Sequence, residues 1–196
     1  STGCDPDFSW SKQLKNGYYH QRYDDGRGYG SGKALASNEN VAEGYGSPAQ
    51  YGYVSATTST GFTGTAGTGT PLYVNENNTK YVAWTWDVGT SNAVSNTDGS
   101  GTTNVQVKAN TSAGISIVTD TGGSSTPANS DSGDSFGHGL PVAPQVVICK
   151  KRTGSNSWPV YHASTSLGAL VLDNYNGLDT SSYLFAKKHP SDSVVY

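Results

Sequence analysis

Short segments that alternate apolar and polar residues, separated by glycine-containing turn dipeptides, recur along this chain. That punctuation constrains the fold more than any other feature. In Lys80–Val88, Val82, Trp84, Trp86 and Val88 share one face, with Tyr81, Ala83, Thr85 and Asp87 on the other. A period of two belongs to a strand, where aromatic and β-branched residues pack well. The segment reads as a half-buried strand with a heavy aromatic face. Val105, Val107 and Ala109 alternate against Gln106 and Lys108 in the same way, and Ile115–Thr119 and Gln145–Lys150 have buried-strand length. Trp158–His162, Ala169–Leu172 and Tyr183–Ala186 follow at hairpin-like intervals. Asn16-Gly17, Asp25-Gly26, Asp98-Gly99, Gly122-Gly123 and Asn176-Gly177 supply the turns between them. Helical periodicity does not recur, so the pattern predicts an all-β chain, an antiparallel sandwich or barrel.

Composition narrows this further. Gly (25), Ser (26) and Thr (21) fill over a third of the 196 positions, and all three are weak helix formers. A formal net charge of −3 lacks the basic excess of a nucleic-acid binder. No apolar run reaches the roughly 18 residues of a membrane span. Low charge would suit disorder, but 13 Tyr, 4 Trp and 4 Phe supply the apolar surface that a disordered chain lacks. Cys4 and Cys149 fit no metal-ligand spacing and admit either a single bridge or two isolated thiols. Two stretches interrupt the strand pattern. Thr57–Thr70 and Thr121–Ser135 read as loops, the second as a connection between lobes.

An internal repeat organises the rest. Pro6–Lys12, Tyr19-His20 and Ala34–Asn38 recur in order as Pro144–Lys150, Tyr161-His162 and Ala169–Asn174. Phe8, Trp10 and Lys12 share a strand face, as do Val146, Ile148 and Lys150. The expected organisation is a first lobe over 1–90, connecting strands and a flexible loop over 91–135, and a second lobe over 136–196. The second copy stops before any counterpart of Tyr81–Trp86, and the sequence contains no Met. These points lead to the expectation that the natural polypeptide continues beyond Tyr196 with a Tyr-Val-Ala-like strand.

Few residues carry recognisable chemistry. Gly26–Lys33 is rich in glycine but fails as a phosphate loop, because Arg27 stands six before Lys33 and Ala34 follows it. There is no Gly-x-Ser-x-Gly elbow. His20 and His162 each follow a Tyr at equivalent repeat positions, which suggests a shared structural role, and His138 lies between two glycines in an expected turn. Asp24, Asp25, Asp98, Asp131 and Asp134 fall at turns, where Asp caps backbone groups. No catalytic, metal-ligating or cofactor-binding residue is assigned. The candidate site is a tyrosine-rich segment in which Tyr18, Tyr19, Tyr23, Tyr29, Tyr45, Tyr51 and Tyr53 are interspersed with Gly, Ser, Asn and Gln. That mixture is typical of a binding loop, with carbohydrate or another protein as ligand. The alternative is that half of these rings pack a second small core.

The strand at Pro6–Lys12, Tyr81–Trp86, Ser95–Gly99, Val105–Asn110, Ser112–Thr119, Phe136–Leu140, Pro144–Arg152 and Trp158–His162 together resemble a domain of virion proteins from tailed, often marine, bacteriophages. The chain departs from that pattern at Gly26–Gly46 and after Leu178. The resemblance implies a concanavalin- or jelly-roll-like sandwich in a fibre-like or tail-associated virion protein. It also implies a non-enzymatic structural or adhesive role, homo-oligomers, contact with other virion subunits and contact with host-surface carbohydrate. A capsid-decorating protein and a polysaccharide depolymerase are the alternative expectations.

Overall fold

The first alternating segment, β1 (Phe8–Gln13), pairs antiparallel with β2 (Gln21–Asp24), which pairs in turn with β3 (Leu35–Ala36). On its other side β1 takes β6 (Tyr81–Trp86), giving a four-stranded sheet in the order β3-β2-β1-β6. A hairpin of β4 (Tyr53–Thr58) and β5 (Gly61–Thr65) and a single α-helical turn, α1 (Pro48–Tyr51), complete this part of the chain. The computed structural model describes residues 3–100, 104–120, 134–181 and 184–196. The chain divides into two compact units, one of Ser1–Asp87 with Lys150–Ser157 and one of Val88–Cys149 with Trp158–Tyr196.

In the second unit, β7 (Val94–Ser95), β8 (Gln106–Asn110) and β9 (Ile115–Thr119) form one meander. A second meander contains β11 (Val146–Ile148), β12 (Pro159–His162) and β13 (Ala169–Val171). Between these two in sequence, β10 (Phe136–Gly137) pairs with the last strand, β14 (Val194–Val195). Val88, Val105, Val107, Leu140, Trp158, Tyr161 and Ala169 are buried here. The chain is therefore all-β, built from antiparallel sheets of two to four strands.

Several local expectations change. The predicted loop over 57–70 is largely the β4–β5 hairpin, with a register irregularity between Val54 and Ala56. Its threonines are β-branched and suit an extended backbone, although they give no apolar stripe. Leu184–Lys187 forms a tight 3₁₀ turn with positive φ at Phe185 and Ala186, where a strand was expected. Gly122-Gly123, Asp131, Tyr183 and most of the expected 121–135 loop lie outside the described residues.

The sheet faces of the first unit are inverted relative to the aromatic pattern. Ser9, Ser11 and Gln13 form the buried side of β1, and the Gln13 amide reaches the Leu72 carbonyl at 2.7 Å. Phe8 and Trp10 lie on the other side, opposite Trp86 and Trp84 of β6. Those two tryptophans are 38% and 46% exposed. Register also differs from the expected repeat. Phe8 pairs with Asp24 and Val146 with His162, so β2 carries Asp24 at the position His162 takes in β12. Tyr23 and Tyr161, each one residue earlier, are both buried.

Candidate binding site

The seven candidate tyrosines separate into two groups. Tyr23 is wholly buried with Ala34 and Val54, and Tyr29, Tyr53 and Phe62 pack against that cluster. The Tyr23 and Tyr29 rings stack at 6.4 Å, and burial pushes both phenols far above their ordinary range. These three tyrosines belong to the core of the first unit.

Tyr18, Tyr19, Tyr45 and Tyr51 gather instead around Tyr73, a residue outside the predicted set. Tyr19 stacks on Tyr73 at a centroid distance of 5.6 Å, while Tyr18 and Tyr51 meet it edge-on at 6.3 and 5.7 Å. Tyr45 extends the cluster through Tyr19 at 6.4 Å and is 55% exposed. All these separations lie in the range of favourable ring pairs. The predicted Asn16-Gly17 turn brings Gly17 and Tyr18 to the site, α1 brings Tyr51, and the segment after β5 brings Leu72 and Tyr73. Together with Tyr19 they line an open hollow of about 290 Å³.

Tyr73 is the fixed centre of this group. It is only 6% exposed, and its hydroxyl donates to the Gly46 carbonyl at 2.7 Å. Burial, reinforced by the surrounding tyrosines, pushes its phenol up to about 12. Tyr19 is raised as well, by burial first and then by Glu39 and Tyr45. Both rings are therefore neutral hydrogen-bonding groups across the physiological range. Gly46, at φ +82°, passes so close that a Cβ there would lie 2.6 Å from a Tyr19 ring carbon. A glycine is needed at this point for both reasons.

An ion-pair network ties the tyrosine-rich segment together and joins it to Arg152. Arg27 bonds Asp24 and Glu43, each at 2.6 Å, and Arg152 reaches Glu43 at 2.9 Å. Arg27 also donates to the Lys33 carbonyl at 2.7 Å. The glycine-rich segment that fails as a phosphate loop is thus folded around a buried guanidinium.

The remaining candidates have structural partners. Asp98 accepts from the Asn96 amide, and Asp24 is held by Arg27. His138 is buried, accepting from the Leu140 amide and lying 3.2 Å from the Ser191 carbonyl. The His162 ring caps the turn that follows β12 by accepting from Ser164. Cys4 and Cys149 are not joined in a disulfide, and burial pushes Cys149 up to about 11. Among the described residues no group of three His, Cys, Asp or Glu side chains could hold a metal ion. No helix among them is long and apolar enough to cross a membrane.

Fold and site together define an all-β module whose first unit carries a surface cluster of five tyrosines. The chain belongs to the family described as Domain of unknown function (DUF7483), the match running over residues 1–196. No curated protein and no solved structure matches it.

Proposed function

We propose that this chain is a non-enzymatic adhesive and structural module that works by contact, with the tyrosine hollow receiving carbohydrate. The observation that carries this reading is the convergence of Tyr18, Tyr19 and Tyr51 on Tyr73 at one open hollow, with the exposed Tyr45 ring beside Tyr19. Ring faces suit the apolar faces of a sugar, and phenol hydroxyls beside them suit its hydroxyls. The hollow lies near the lower end of the sizes usual for small-ligand sites, about 300–1,000 Å³. It has room for one or two sugar rings. The resemblance to phage virion proteins supplies the setting: an extracellular particle, neighbouring virion subunits, and glycans on a host surface.

A glycan array combined with a reducing-sugar assay tests the proposal. Binding without release of sugar is the expected result, and Tyr19→Ala is expected to weaken it roughly tenfold, equivalent to about 1.4 kcal/mol. Release of reducing ends would indicate a depolymerase. A chain that neither binds nor cleaves would leave only a structural role.

A further inference from the structure

We infer that β6 is the self-association edge of this chain and pairs antiparallel with β6 of a second copy. The Leu14 amide donates to the Lys80 carbonyl at 2.9 Å, which places Lys80, and by alternation Val82, Trp84 and Trp86, with their backbone groups turned toward β1. Tyr81, Ala83 and Thr85 therefore turn theirs away. Among the described residues no second strand pairs with β6, and no other backbone group meets those three. This is an open hydrogen-bonding edge, and its chemical complement is another strand.

Natural edge strands are usually blunted by charge, proline, bulges or shortness. Tyr-Val-Ala-Trp-Thr-Trp has none of these: it is six residues long, pairs with β1 without a register break, and contains no charge, Pro or Gly. Its side chains are partly open on both faces, since Ala83 is exposed on one and Trp84 and Trp86 on the other, while the Tyr81 hydroxyl is held by the Glu76 amide at 3.0 Å. The aromatic side is continuous across the strand pair. Phe8 meets Trp86 at 5.2 Å, Trp10 meets Trp84 at 5.6 Å, and the Arg22 guanidinium lies 4.2 Å from the Trp10 ring centre.

Symmetry selects the occupant. With Ala83 opposite Ala83 of the second copy, Tyr81 faces Thr85 and Thr85 faces Tyr81. All three outward residues of each copy then fall in hydrogen-bonded pairs. This contact is isologous and closed, so it gives a dimer instead of an open fibre. It joins two four-stranded sheets into one of eight and sets Trp84 of each copy beside Val82 of the other. Those neighbours are a favourable aromatic–β-branched pair. The inference is independent of what the tyrosine hollow binds.

Sedimentation equilibrium of the full chain is expected to give twice the monomer mass at high concentration, and Ala83→Lys is expected to return it to the monomer mass with an unchanged far-ultraviolet circular dichroism spectrum. In a chain with Cys4 and Cys149 replaced by serine, Ala83→Cys is expected to form a disulfide-linked dimer on mild oxidation. Thr85→Cys is not, because its partner across the twofold is Tyr81. The cross-linking pair decides the matter if the lysine variant does not fold. A native-like chain that stays monomeric at all concentrations overturns the inference. So does a dimer that survives Ala83→Lys unchanged, or equal cross-linking through positions 83 and 85.

Discussion

Gly46 and Arg27 each hold a cluster together by a property that no other residue type would reproduce. At Gly46 the property is the absence of a side chain: φ is +82°, the carbonyl is bonded by Tyr73, and the Tyr19 ring passes within contact. Gly46→Ala is expected to lower stability by at least about 1–2 kcal/mol from backbone strain alone. It should also change the near-ultraviolet circular dichroism of the tyrosine cluster; an unchanged spectrum would show that the rings do not depend on this approach. At Arg27 the property is a fork of charged donors. Its side chain is buried between Asp24 and Glu43, so Arg27→Ala takes the guanidinium from Asp24 and leaves Glu43 with only the more exposed Arg152, at about 3–5 kcal/mol. Arg152 is more than a third exposed and shares Glu43, and Arg152→Ala is expected to cost about 1 kcal/mol or less. Urea unfolding of the two variants measures the difference, and equal losses would argue against the buried fork as the centre of the network.

Between elements, Trp10 of β1 is tied to the segment leading into β2. Its indole N–H donates to Nδ1 of His20 at 3.3 Å, which requires an unprotonated nitrogen there. Burial first, then Lys12 and Arg22, lower the His20 pKa from 6.5. A base whose folded pKa is lowered stabilises the fold above the unfolded value and loses that contribution as pH falls through the folded one. Stability is therefore expected to decline as pH drops below about 6.5, with a parallel change in Trp10 fluorescence, and His20→Gln is expected to flatten that decline. An identical acid profile in the variant would remove His20 from the account. The same region shows what periodicity could and could not convey. Alternation located β1, β6 and β8 well, because any two-faced strand must alternate, while β9 followed from the length of its apolar run and β12 from hairpin-like spacing. It did not tell which face is inside: Ser9, Ser11 and Gln13 are buried while Trp84 and Trp86 are exposed, contrary to hydrophobicity. The β4–β5 hairpin was missed for a related reason, since Thr, Ser and Gly form strands there without an apolar signal. Composition found the tyrosine segment but could not separate Tyr23, Tyr29 and Tyr53, which are core, from Tyr18, Tyr19 and Tyr51 at the hollow and Tyr45 beside them. Tyr73 lay beyond the segment, and only the folded chain brings it in.

For the whole molecule, the main fact is that sequence order and structural units do not coincide. The chain leaves the first unit after Asp87, returns to it for Lys150–Ser157, and leaves again at Trp158. The returning segment connects β11 to β12, and its attachment is specific. Glu43 donates its amide to the Arg152 carbonyl at 2.9 Å while its carboxylate takes the Arg152 side chain. Glu43 is the residue through which Arg27 organises the glycine-rich segment, so a stretch far along the chain buttresses the scaffold of the tyrosine hollow. A cut at the apparent boundary near residue 87 should therefore leave the first unit incomplete. Residues 1–87 alone are expected to unfold at a lower denaturant concentration than residues 1–87 joined through a flexible Gly/Ser linker to residues 150–157. Replacing Arg152 by alanine in the joined chain should remove part of the gain. Equal midpoints for the short and joined chains would mean that the returning segment is only a passenger. A higher midpoint for the joined chain would establish that the first unit draws its stability from both halves of the sequence.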